Sequence, residues 1–259
     1  MTTLANYAEE RQIIEQFLAG ATAERILLVR GVSGSGKTTL LNECRATLPT
    51  GMTLIPFQIR GSAVGVAEVF YRVVERLGKE HFSAFAAQVA QFQAAPSVHV
   101  GRNIMHSSSI TVALQAENQT DRQHRQAALT AAWFEGIRAW GRPLIVTLDT
   151  FEQATTETQE WLEGPFLARV GHSSQLRVLI AGQKVPEAVN IEWGWCCRTR
   201  ELLGVPQAQH WLPVVEDMQC AIPTDHPEIW LSGVCHGLGG LPDSIMKVIS
   251  ALPRREARP

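Results

Sequence analysis

Residues 31–38 read Gly-Val-Ser-Gly-Ser-Gly-Lys-Thr and satisfy every fixed position of the pattern G-x-x-x-x-G-K-[ST]. The chemistry open to such a loop is phosphate binding. Glycines let successive backbone N–H groups turn toward one centre, and a helix starting behind them adds favourable dipole charge. Lys37 would then reach the outer phosphates, and the Thr38 hydroxyl is a hard oxygen ligand for Mg²⁺. Val32, Ser33, Gly34, Ser35, Gly36 and Thr39 complete the segment, so all of Gly31 to Thr39 is expected to face the phosphate chain.

A second candidate is Asp149, which closes the apolar run Leu144-Ile-Val-Thr-Leu148. A carboxylate at the end of a strand lying beside the phosphate-loop strand would hold Mg²⁺ together with Thr38. Glu152, three residues on, has the chemistry of a general base that orients an attacking water; the alternative is a carboxylate that caps the next helix. Gln183 and Lys184 follow the run from Gln175 to Ile180 and stand where a side chain could sense a terminal phosphate. A polar loop after a strand is the competing reading there. Arg177 lies within the strand and is expected to point away from nucleotide.

The scaffold must bring these groups together. Tyr7, Ile13, Ile14, Phe17 and Leu18 have helical spacing, which predicts a helix from about Asn6 to Ala19 with Glu9 and Glu10 in its first turn. Arg25 to Arg30 suits a buried parallel strand, and Leu40, Leu41, Cys44 and Leu48 mark one face of a helix from Lys37. Thr53 to Ile59 reads as a second strand, assigned to an edge or a bulge by Pro56. Helices are expected over 63–78 and 82–94, then a β-branched, serine-rich stretch from Ser97 to Gln115 reads as an inserted hairpin with Ile110 to Leu114 as its best strand. A long helix from about Thr120 to Trp140 precedes the Asp149 strand, a helix near Glu157 to Val170 follows it, and the strand from Gln175 to Ile180 comes next. Strands alternating with helices predict an α/β fold with a mostly parallel sheet covered on both faces. Beyond Pro186 the pattern weakens until a final helix from Pro242 to Leu252; Trp193, Trp195, Trp211 and Trp230 are read as core and interface packing, and Arg254, Arg255 and Arg258 as a solvated tail.

Composition narrows the field. The 259 residues are 45% hydrophobic and 19% charged with a net charge of −2, enough to bury a core and without the basic excess of a nucleic-acid binder. No apolar stretch approaches the roughly 18 residues of a membrane helix, and the first residues do not form a signal peptide. Five cysteines without CxxC spacing argue against both a disulfide framework and a tetrahedral metal site, so a cytoplasmic protein is expected.

Taken together, GVSGSGKTT, LIVTLDTFEQ with its Asp-x-x-Glu ending, LRVLIAGQK and the late GLPDSI segment resemble the STAND class of P-loop NTPases, signalling relatives of the AAA+ ATPases. The resemblance implies a three-layer P-loop NTPase sandwich over residues 1–190 and a small helical lid over 191–259. It also implies ATP or ADP with Mg²⁺ as ligands, and a lid element Gly240-Leu241-Pro242 whose proline closes near the base, with Pro at the start of a helix as the rival explanation. His210 to Asp217 resembles the link into that lid, and Cys235 to Gly239 the loop before it. Three positions depart from the class: Thr150 replaces an acidic residue after Asp149, Gln183 replaces an arginine, and the N-terminal Gly-Arg element is missing, with Tyr7 to Arg11 its nearest counterpart. These bear on hydrolysis more than on binding.

By this resemblance the chain is expected to be a slowly hydrolysing regulatory ATPase that changes conformation or assembly with nucleotide state. The class implies a protein effector or self-association, in defence or signalling, with the output module on a separate partner. The rival expectations are a non-hydrolysing nucleotide-bound scaffold, a small-molecule kinase using Arg198 and Arg200, and a DNA-transposition-type ATPase, the last disfavoured by charge.

Overall fold

The computed structural model describes residues 6–59, 64–93 and 106–254. Five strands form one sheet: β1 (Ile26–Gly31), β2 (Thr53–Gln58), β3 (Leu144–Asp149), β4 (Leu176–Gly182) and β5 (Cys197–Leu202). Their order is β2-β3-β4-β1-β5 and every pairing is parallel. The strand that precedes the phosphate loop therefore sits between β4 and β5. Asp149 ends β3, which is separated from β1 by β4, so it is not on the adjacent strand that the sequence suggested.

Alternation along the strands splits the core into two layers. Ile26 and Leu28 of β1, with Leu144, Val146 and Leu148 of β3, face one side; Leu27, Val29 and Ile145 face the other. The first side is covered by α3 (Val66–Leu77), α4 (Ser83–Gln93), α5 (Ser107–Leu114), α6 (Gln119–Trp140), α7 (Thr156–Trp161) and α8 (Leu167–Gly171). Phe70, Trp133, Trp161 and Phe166 pack there as a ring cluster, with Trp161 and Phe166 centroids 4.7 Å apart. Each buried indole N–H finds an oxygen: Trp133 donates to the Phe70 carbonyl and Trp161 to the Thr130 hydroxyl. The second side is covered by α1 (Ala8–Leu18), α2 (Lys37–Ala46), α9 (Leu212–Asp217), α10 (Pro227–Gly237) and α11 (Pro242–Ser250). One continuous apolar layer thus joins α1 and α2 to the three C-terminal helices.

Several local expectations change. Ile110 to Leu114 is helical within α5, not a strand; Ile110, Ala113 and Leu114 are buried at i, i+3 and i+4, and that burial overrides β-branched propensity. The rest of the expected hairpin, over 97–105, lies outside the described residues, as do residues 255–259 of the basic tail. The helix expected near Glu157 to Val170 is interrupted by a wide π turn, Leu162–Phe166, containing Pro165. Proline has no N–H to donate and its ring crowds the carbonyl four residues back, so one extra residue per turn relieves both problems.

β5 lies in the region read as lid, and it extends the sheet past residue 190. Only Leu202 on it is fully buried, so it carries little apolar signal. Pro56 does lie on an edge strand, opposite Thr147, where it is exposed. Of the four late tryptophans Trp193 and Trp211 are core, Trp230 is half-buried, and Trp195 is 65% exposed and so lies outside the core. No helix among the described residues is long and apolar enough to cross a membrane.

Candidate functional site

The loop from Gly31 to Gly36 connects β1 to α2 at the C-terminal edge of the parallel sheet, the edge where open α/β folds bind ligands. Two glycines have φ values that side chains disfavour, 80° at Gly34 and 88° at Gly36. Gly31 is needed for space: a Cβ there would fall 2.6 Å from Ser35 Oγ and 3.0 Å from the Leu202 carbonyl. Such a tight loop, turned around the first residue of a helix, fits a chain of phosphates. Val32, Ser33, Thr38 and Thr39 are exposed on it, whereas Ser35 and Lys37 are buried.

The Lys37 ammonium donates to the Gly31 carbonyl at 2.6 Å and the Val32 carbonyl at 2.9 Å, and lies 3.4 Å from Ser35 Oγ. Burial lowers its pKa from the ordinary lysine value, while the carboxylates of Glu152 and Asp149 oppose that shift. All three charged groups named from sequence therefore share one electrostatic neighbourhood. Thr38 Oγ1 donates to Asp149 Oδ2 at 2.6 Å, bridging α2 and β3 across the intervening strand. One hydroxyl and one carboxylate side by side suit Mg²⁺, which takes few protein oxygens and fills its shell with water and phosphate. Among the described residues no three His, Cys, Asp or Glu side chains cluster as a self-sufficient metal site.

Glu152 is brought to the end of β4. Thr150 adopts φ 65°, a left-handed conformation rare for a β-branched residue, and starts the 3₁₀ turn Phe151–Gln153. Both carboxylate oxygens of Glu152 are then engaged by Gln183, whose backbone N–H donates at 2.9 Å and whose side-chain amide donates at 3.3 Å. Gly182 makes this possible, because a Cβ there would lie 2.6 Å from Glu152 Oε2 and 2.4 Å from the Lys184 carbonyl. Gly182 was not singled out from sequence, and only the Ala-Gly ending of the strand hints at it. Arg177 lies at the opposite end of the sheet, bonded to the carbonyls of Gly20 and Thr22.

Pro242 also arrives at the loop. It is buried at the start of α11, with ring atoms 3.8 Å from where a Gly36 Cβ would stand, and the Asp243 N–H donates to the Gly34 carbonyl at 3.0 Å. Gly240, at φ 70°, delivers it: its carbonyl accepts from Val205 N–H at 2.7 Å, and a Cβ on it would press within 2.9 Å of Pro206 N. Sequence reasoning missed Tyr7 as a site residue. It counts there as an apolar position of the first helix and as part of the Tyr7 to Arg11 counterpart of a missing element, yet its hydroxyl donates to the Ser35 carbonyl at 2.6 Å. Arg198 and Arg200 lie on β5, with Arg200 paired to Glu9 at 3.3 Å, so neither belongs to an arginine-rich lid.

A comparison with curated proteins returned no match. The protein family described as AAA ATPase domain matches residues 8–180, well over half of the chain. That span runs from α1 into β4 and includes the phosphate loop, Asp149 and Glu152, while β5 and the C-terminal helices lie beyond it. With the phosphate loop, the strand-end aspartate and the parallel sheet all inside the matched span, the chain belongs to the AAA ATPase domain family.

Proposed function

We propose that this protein is a STAND-like regulatory ATPase: it binds Mg·ATP or Mg·ADP, hydrolyses ATP slowly, and changes conformation or assembly with the nucleotide held. Lys37 contacts the phosphates, Thr38 and Asp149 hold Mg²⁺, Glu152 orients water and Gln183 monitors the terminal phosphate. Bound Mg²⁺ would neutralise phosphate charge and act as a Lewis acid. The observation that carries the switching part is the contact between α11 and the phosphate loop, through Asp243 N–H on the Gly34 carbonyl and Pro242 on Gly36. A helix that touches the loop directly can respond to what the loop holds. The readout is association with a protein effector or with further copies of the chain, which is analogy to the class rather than residue chemistry.

Two measurements test this. Purified protein should release phosphate from ATP faster than the Lys37→Ala variant does, and equal rates would defeat the hydrolase reading. Sizing with ADP and with a slowly hydrolysed ATP analogue should give different mass or shape; identical profiles would defeat the switch. A second reading, a nucleotide-bound scaffold without turnover, is favoured by two features. Both oxygens of Glu152 are already occupied by Gln183 donors, and Thr150 supplies no second carboxylate.

Gly182→Ala distinguishes these readings further, because the added methyl must displace Glu152 or the Lys184 peptide. If Glu152 positions water, turnover should fall roughly tenfold to 100-fold while ADP affinity stays within about threefold. An unchanged rate in a variant whose crystal structure shows Glu152 displaced would remove Glu152 from the mechanism.

A further inference from the structure

Tyr7 stands immediately before α1 with φ 74°, after Asn6 at φ 63°. Two consecutive left-handed residues, one of them a bulky aromatic, are strained and persist only where the surroundings hold them. The holding groups are identifiable. Tyr7 is 5% exposed, its ring lies 3.5 Å from where a Gly36 Cβ would stand, and its hydroxyl donates to the Ser35 carbonyl. Burial pushes the phenol pKa up to about 12 and keeps it a neutral donor.

The consequence lies in the Ser35–Gly36 peptide. A trans peptide is planar, with C=O and N–H pointing in opposite directions, and no peptide among the described residues is cis. Fixing the Ser35 carbonyl on the Tyr7 side therefore turns the Gly36 N–H to the other side of the loop. The peptide before it is held in the same manner, since the Gly34 carbonyl accepts from Asp243 N–H. We propose that Tyr7 is a positioning residue for the phosphate loop: its hydroxyl holds the Ser35 carbonyl outward and so aims the Gly36 amide hydrogen at bound phosphate. The inference rests on the nucleotide-binding reading above and adds to it a group outside the loop motif.

Tyr7→Phe keeps the ring and removes only the hydroxyl. Titration of ¹⁵N-labelled protein with Mg·ADP should move the wild-type Gly36 amide proton downfield, the signature of a bond to an anionic oxygen. In Tyr7→Phe that displacement should shrink and ADP affinity should fall about fivefold to tenfold. A purely structural role would lower the melting temperature and leave the Gly36 displacement intact, which overturns the proposal. Wild-type protein that binds ADP, with a variant equal in affinity and displacement, overturns the proposal alone; wild-type protein that binds neither ADP nor ATP overturns the nucleotide reading with it. Should Tyr7→Phe fail to fold, 3-fluorotyrosine can be incorporated into the wild-type chain, which has two tyrosines, Tyr7 and Tyr71. The Tyr7 fluorine signal must then shift on Mg·ADP binding, because a phosphate bond to the Gly36 N–H polarises the Ser35 carbonyl; an unmoved signal overturns the proposal.

Discussion

Lys37→Ala is expected to weaken ADP and ATP binding by roughly 100-fold to 1,000-fold, corresponding to about 3–4 kcal/mol. The ammonium is held by the Gly31 and Val32 carbonyls, so its charge is already directed into the loop and little ordering remains to be done when phosphate arrives. Its charge also offsets two nearby carboxylates, Asp149 and Glu152. Without it those carboxylates oppose a polyphosphate unaided, and the backbone amides alone must hold the ligand. Calorimetric titration checks the loss, with circular dichroism to show that the fold survives. An affinity within threefold of wild type would mean that nucleotide binds elsewhere or not at all.

The second large effect is expected at Glu152. Glu152→Gln should lower ATP turnover by about 100-fold or more while leaving nucleotide affinity nearly unchanged. The geometry makes the substitution specific. Gln183 presents a backbone N–H and a side-chain amide to the two carboxylate oxygens. A glutamine at 152 can accept from the backbone N–H with its oxygen, and the Gln183 amide can flip to accept from the new NH₂. The structural tie between the 3₁₀ turn and β4 is preserved and only the basic oxygen is lost. Single-turnover hydrolysis separates the outcomes: an unchanged rate would make Glu152 a brace and favour the scaffold reading.

The phosphate loop was legible because its chemistry depends on a contiguous segment. Gly31, Gly34, Gly36, Lys37 and Thr38 need only one another, a strand before and a helix after, and the structure supplies both. β1, β3 and β4 were legible for a related reason: strands buried on both faces are apolar along most of their length. What escaped depends on partners distant in sequence. β5 is a polar edge strand recognisable only through its pairing with β1. The insertion of β4 between β1 and β3 is a matter of strand order, which periodicity does not encode. α5 was misread because Ile110 to Leu114 satisfies β-branched propensity, whereas its helical spacing matters only once a core lies beneath it. Tyr7 was invisible as a site residue because its role comes from one hydroxyl meeting a carbonyl on a different element.

The sheet order carries a temporal consequence for biogenesis. Ile26 of the loop-bearing strand pairs with Val178 on one side and Cys197 on the other. Vectorial synthesis therefore delivers β1 first and both of its hydrogen-bonding neighbours late. The apolar face of α2 must wait longer still for Trp211, Leu231 and Ile245 of the C-terminal helices. Non-local pairing of this kind slows folding and leaves apolar surface transiently bare. The phosphate loop is thus made before both strands that flank β1 and before the helices that cover α2, so the packing around it is complete only once those later elements have been translated.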